Sequence, residues 1–301
     1  MSGLTYRQGV LLVVGAGFIW SLNGLLLRIV GDAGTWQVLF YRSLGMVPVL
    51  FLWIHRRSGG RPFALIRAGG LAVLIGGLGL VVAFSGAIFS MQTTTIANAV
   101  FLFAAAPLLT AALAWPVLGE RVGPGTWVAI AVASVGVFVM VREGLALGEG
   151  MGNIAALGSA AGFSAFTLTL RKARLSEMTP AVLTGALLSI LVAAAVVSLR
   201  GESLALPLRG WSVSMLMGAV TICGGMILFT AGTRAIPAAD AGLLALVEVV
   251  LAPVWVWLFW NETVSADTAL GGAILLAALV LNTVAARRQR YLPLRKNRER
   301  A

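Results

Sequence analysis

Three ionisable side chains stand inside stretches that are otherwise nearly free of charge: Arg42, Asp240 and Glu248. A charge near the centre of a bilayer costs about 2.5–3.5 kcal/mol on insertion scales, so each is a functional candidate. Glu248 could bind an amine, carry a coupling proton or pair with Arg42; a packed, hydrogen-bonded glutamate is the alternative. Arg42 lies closer to one end of its apolar run, from where its guanidinium is expected to snorkel to the surface rather than meet a solute. Asp240 follows Pro237. At the start of a helix a carboxylate caps free amides and complements the helix dipole. Asn98 stands at the matching point of an earlier run, where it could cap likewise or line a cavity.

Aromatic side chains form the second group of candidates. Trp20 and Phe163 lie 143 residues apart in matching surroundings, and Asn23 shares a helical face with Trp20. Phe84, Ile88 and Phe101 could complete a wall around them. Such a wall would suit an apolar or aromatic solute held by a few polar contacts, with ordinary helix packing or lipid contact as the alternative.

Other chemistries are poorly supplied. His55 is the only histidine and Cys223 the only cysteine, so neither a His/Cys metal cluster nor an intrachain disulfide is available. No GxxxxGK[ST] phosphate loop is present, and no cofactor is expected. The formal net charge of +11 is not arranged as a basic stripe interleaved with aromatics, which argues against nucleic acid as a partner.

The elements that position these residues follow from composition. Hydrophobic residues make up 59% of the chain and charged ones 11%, against roughly 25% charged in a soluble domain. Between Arg67 and Glu120 there are 52 consecutive uncharged residues, enough for two membrane helices and the turn between them. Hydropathy places ten spans near 9–29, 35–54, 68–90, 96–115, 125–142, 150–170, 179–199, 211–233, 238–259 and 266–286. The runs are continuously apolar rather than alternating, which selects helices over a barrel. The first is too long for the core of a cleaved signal peptide and is read as a retained helix. Trp36, Trp53, Trp115, Trp127, Trp211 and Trp260 fall near span ends, as interfacial belt residues do.

With an even number of spans both termini share one side, and on that side lie 17 of the 22 basic residues. The excess predicts cytoplasmic termini in a bacterial inner membrane.

A repeat underlies this topology. Ser21–Arg28 (SLNGLLLR) resembles Ser164–Arg171 (SAFTLTLR), Ala97-Asn98-Ala99 matches Ala239-Asp240-Ala241, and Glu120 matches Glu262, at offsets of 142 to 143. The predicted organisation is an all-α membrane protein of two inverted five-helix repeats, residues 1–145 and 146–286, with a basic cytoplasmic tail at 287–301. Inverted repeats are typical of secondary transporters, whose site lies near the midplane between the halves. Small residues crowd the third span (Gly69, Gly70, Gly76, Gly77, Gly79), and Gly158 and Gly162 form a GxxxG in the sixth, as close helix packing in lipid favours.

Ten helices in two halves, with Pro107 ahead of Gly119-Glu120 and with Asn261-Glu262 after the ninth span, resemble the EamA branch of the drug/metabolite transporter superfamily. Where that pattern often has Glu-Pro, this chain keeps Glu248 but has Val249. The chain looks most like bacterial amino acid exporters of the YddG type, which handle aromatic and other amino acids. The resemblance implies alternating-access transport of a small molecule through a central cavity, with the fifth and tenth helices peripheral. The candidate substrate contacts read from the residues are Trp20, Asn23, Phe84, Ile88, Asn98, Phe101, Phe163 and Glu248. Membrane lipid is the other partner, and the oligomeric state is left open. A carrier of drugs, nucleobases or sugar derivatives is the competing reading, with an intramembrane enzyme behind it. A reporter fused after Ala301 should be active only as a cytoplasmic fusion; activity confined to periplasmic reporters would overturn both topology and repeat.

Overall fold

Lipid offers no partner to a backbone N–H or C=O, so apolar runs of this length must close their hydrogen bonds internally. The computed structural model, which describes residues 4–120, 122–174 and 177–298, does this with helices alone among those residues. Arg121 and Arg300, both counted in the charge asymmetry, lie outside the described residues. The first half comprises α1 (Tyr6–Val30), α2 (Thr35–Arg57), the short α3 (Pro62–Ala68), α4 (Gly70–Thr93), α5 (Ile96–Phe103), α6 (Ala106–Leu118) and α7 (Pro124–Ala146). The second comprises α8 (Gly150–Lys172), α9 (Thr179–Leu199), α10 (Leu208–Leu216), α11 (Cys223–Gly232), α12 (Ala238–Ala245), α13 (Val247–Trp260) and α14 (Ala266–Arg298).

These helices make ten spans. Three of the ten are composite, which hydropathy does not register. The fourth is α5 followed by α6, and the ninth is α12 followed by α13. In the eighth, a π-helical turn at Met217–Ile222 joins α10 to α11. The two breaks are repeat-equivalent in fine detail. Ala104, closing α5, has φ −63° and ψ −10°, and Leu246, closing α12, has φ −62° and ψ −13°. Both amides fold back onto carbonyls three residues earlier, Phe101 and Leu243. The far ends match as well: Gly119 after α6 and Asn261 after α13 both adopt the left-handed conformation.

Packing respects the same exchange of halves. α1 lies against α13 and α11, and its counterpart α8 lies against α6 and α4. α2 packs on α9, its own counterpart, and α7 packs on α14, again a matched pair. Each half has five spans, an odd number, so the halves cross the membrane in opposite senses. The outer surface is apolar, with side chains such as Leu11, Leu78, Phe138, Leu191 and Phe259 exposed, as suits a lipid-facing wall. Cys223 is fully buried at the π turn, its thiol directed at the Met46 carbonyl at 3.8 Å.

The α4–α8 contact depends on backbone approach. A Cβ at Gly162 would stand 2.6 Å from the Gly79 carbonyl oxygen, and one at Gly79 would stand 2.8 Å from the Gly162 oxygen. Gly158, the other glycine of the GxxxG, faces open space. Gly162→Val should therefore lower the melting temperature of the purified protein by about 5 °C or more, since backbone on backbone leaves nothing to yield. Gly158→Val should leave it within about 2 °C. Equal effects of the two substitutions would reject this contact as the point of close approach.

Candidate functional site

The helical period sets which side chains face inward. On α1, Trp20, Asn23, Gly24 and Leu27 follow the i, i+3, i+4, i+7 spacing, and on α4 Phe84, Ala87, Ile88 and Met91 do so. Both stripes meet in a cavity of about 300 Å³ between the halves, walled also by α2, α5, α8, α9, the π turn, α11 and α13. Among the described residues none of α7 or α14 lines it, so the matched fifth and tenth spans are peripheral.

Of the sequence candidates, Trp20, Asn23, Phe84, Ile88, Phe163 and Glu248 line this cavity, and Asn98 and Phe101 do not. Asn98 is almost fully buried on the other side of α5, its amide donating to Thr94 Oγ1 at 3.0 Å and to Asn153 of α8. Nor is Asn98 the cap: Thr95 Oγ1 takes that role by accepting from the Asn98 amide at 3.2 Å. Phe101 points away too, its ring covering Gly272 of α14 so closely that a Cβ there would meet it at 2.6 Å. Asp240, in the first turn of α12, accepts from the Tyr6 hydroxyl at 3.1 Å. Asn98 and Asp240 are thus repeat mates that tie a broken span to the start of the opposite half's first helix.

Arg42 departs most from expectation. It does not snorkel outward; it is buried in the cavity wall with its Cζ 4.8 Å from the centroid of the Phe84 ring. Helical depth alone could not have shown this, because the inward direction depends on how α2 docks against the π turn. Phe103, Phe166, Met226 and Phe229 also line the cavity and were missed. Phe166 could have been found from its spacing of three residues from Phe163 on α8. The rings form two groups, Trp20 with Phe229 (centroids 5.5 Å apart) and Phe163 with Phe103 and Phe166 (5.8 and 5.7 Å).

The polar groups differ in how far they are committed. Asn23 donates to the Trp20 carbonyl at 3.0 Å and accepts from Thr221 Oγ1 at 2.7 Å, which fixes its orientation. Glu248 opens the first turn of α13, where a carboxylate complements the dipole of a half-helix beginning inside the membrane. It makes no hydrogen bond or ion pair among the described residues. Apart from these, Arg42, Ser159 and Thr230, the described wall is apolar, and about 300 Å³ is the scale of a small-molecule site.

The repeated Ser…Arg segment clasps the halves together at both ends of the cavity. Ser21 accepts from Trp255 Nε1 of α13 at 2.9 Å, and Arg28, two turns on, pairs with Glu262 at 2.8 Å. Their mates repeat this: Ser164 lies 3.0 Å from Thr110 of α6, and Arg171 pairs with Glu120 at 2.7 Å. The two ion pairs sit on opposite faces and are not equivalent. Arg28 and Glu262 are 24% and 17% exposed, and Glu262 also accepts from the Ile96 amide at 2.6 Å. Arg171 and Glu120 are 47% and 48% exposed. The cavity wall reaches the face of the looser pair through Met178, between α8 and α9.

Comparison with known proteins agrees with this architecture. The EamA-like transporter profile matches residues 7–142 and again 150–284, one copy per half. The chain belongs to the EamA-like transporter family. Among similar proteins are the uncharacterized transporter YwfM of Bacillus subtilis, 25% identical over 96% of this chain and 97% of that one, and the pseudopaline exporter CntI of Pseudomonas aeruginosa, 25% identical over 91% and 95%. A solved crystal structure superposes with a TM-score of 0.65 at 19% identity, covering 94% of this chain and all of its own, which establishes likeness of fold. As an EamA-like protein this is a multi-pass membrane transporter for a small molecule, not an enzyme.

The inequality of the ion pairs is measurable. A double-mutant cycle on thermal stability should give about 1–2 kcal/mol of coupling for Arg28–Glu262, which is shielded and backed by a backbone donor. The half-exposed Arg171–Glu120 pair should give about 0.5 kcal/mol or less. Equal couplings would refute the assignment of a tight and a loose face.

Proposed function

We propose that this EamA-like protein is a secondary transporter that exports amino acids, or amphipathic metabolites of similar size, across the bacterial inner membrane by alternating access. The observation that carries the reading is the cavity at the interface of the halves, an aromatic and aliphatic wall holding a carboxylate, Glu248, that has no partner among the described residues. Such a wall favours a solute with an apolar body and a charged head. Trp20, Asn23, Phe84, Ile88 and Phe163 would hold the body, and Glu248 would take an ammonium group or a coupling proton. The resemblance to exporters of the YddG type supports the same choice.

The unequal faces support a resting state that opens more easily on the side of the looser pair, while the direction of net transport is set by the gradients across the membrane. The bias of Lys and Arg supports cytoplasmic termini, with residues 1–145 and 146–286 as the two moving halves and 287–301 as a basic tail. In that orientation the loose Arg171–Glu120 pair and Met178 face the cytoplasm, and the tight Arg28–Glu262 pair closes the outer face. A cytoplasmic solute reaches the cavity first, and separation of Arg28 from Glu262 releases it outside. A second reading, export of a different metabolite class, is favoured by the end-to-end match to the Pseudomonas exporter, whose name specifies pseudopaline.

The test is counterflow in proteoliposomes with amino acids, nucleobases and cationic drugs. Accumulation of labelled amino acids is the expected result, and accumulation of another class alone would transfer the function to that class. Glu248→Gln keeps size and hydrogen bonding while removing the titratable proton. It should fold normally and either lower exchange about tenfold or more or abolish its pH dependence. Unchanged rates with an unchanged pH response would show that Glu248 only packs.

A further inference from the structure

Arg42 has a geometry that the transport reading does not use. The residue is 5% exposed, yet its side chain forms part of the cavity wall. Its Nε and Nη2 have no hydrogen-bond partner among the described residues. Those two nitrogens share the guanidinium edge on which two N–H bonds run parallel, the edge that grips a carboxylate with two bonds. One face of the guanidinium lies against the Phe84 ring, with Cζ 4.8 Å from its centroid, while the Nε–Nη2 edge is buried and left without a partner among the described residues. Its backbone is pinned as well: the Arg42 carbonyl abuts Gly218 of the π turn, where no Cβ would fit.

We infer that Arg42 is the carboxylate-binding fork of this cavity, and that the transported solutes are carboxylic acids whose acid group pairs with its buried, unpartnered edge, which the side chain turns toward the cavity when the ligand arrives. A buried cation with no counter-ion is among the least favourable arrangements in a protein interior, so the site is built for an anion that arrives with the ligand. Glu248 is the only acid in the wall, and no ion pair joins it to Arg42 among the described residues. Arg42 is also the only cation there among the described residues, which matches a single negative charge and leaves a doubly charged phosphate under-neutralised. The planar edge suits two oxygens of one carboxylate better than a spherical halide. The inference rests on the transport reading of the same cavity and narrows it.

The experiment pairs acids with their amides: L-phenylalanine with L-phenylalaninamide, and L-leucine with L-leucinamide. Each is tested for counterflow in proteoliposomes and for thermal stabilisation of the detergent-purified, full-length protein. The wild type should exchange and bind the acids about 10–100-fold better than the amides, the range expected for a charge-assisted pair of hydrogen bonds. Arg42→Gln should erase that preference while leaving the melting temperature of the empty protein unchanged or raised, since it removes an unpaired buried charge. Arg42→Lys keeps a point charge without the fork and should retain only part of the preference. The inference is overturned if amides match acids in the wild type, if no acid binds, or if Arg42→Gln or Arg42→Lys discriminates as the wild type does. A fall in the empty protein's melting temperature for Arg42→Gln would also count against it, by giving Arg42 a structural task. Acid-selective stabilisation without exchange would keep the site and remove the transport reading. Exchange of acids and amides alike would do the reverse.

Discussion

A helix can be interrupted inside a membrane only where protein, not lipid, surrounds the interruption, because hydrocarbon cannot satisfy a freed amide or carbonyl. The arrangement of this protein follows from that constraint. The fourth and ninth spans break at Ala104 and Leu246, and these breaks are affordable only at the centre of the bundle. α1 and α8 enclose them, and α7 and α14 are left to pair outside. Enclosure then does a second thing. A half-helix that begins at depth offers its positive end to whatever stands there, and Glu248 is the acid in the first turn of α13. Cavity, broken helices and buried charge therefore share one physical origin.

How much of this the sequence made legible depended on the kind of signal. Spans are legible because each needs about 20 apolar residues, a property summed over many positions. The breaks are not, because α5 and α6 carry one continuous apolar run, and nothing in hydropathy distinguishes Ala104 from its neighbours. The repeat was legible through Ser21, Arg28, Glu120 and Glu262, and the structure supplies the reason those types recur. They are the residues by which each half holds the other.

Facing is the harder inference. Trp20, Phe84, Ile88 and Phe163 fall on inward stripes that periodicity can trace. Asn98 and Phe101 sit on a short half-helix whose rotation is set by the break, and the straight-cylinder reading turned them the wrong way. Arg42 was misplaced for a related reason. Depth along a straight helix does not register the π turn, where the backbones of α2 and the eighth span approach closely at Gly45 and Gly218 and leave the Arg42 guanidinium against Phe84.

Each half carries both members of the clasp, an arginine in its first helix and a glutamate after its broken one. Two identical halves lying antiparallel would satisfy each other completely, but by symmetry the seal on one face would equal the seal on the other. Such a pair would have no reason to rest in either orientation. Joining the halves in one chain frees each to change alone. One arginine–glutamate pair has become shielded and backed by the Ile96 amide while its twin stays wet. Fusion thus permits the two faces to differ, as the exposures of these two pairs do.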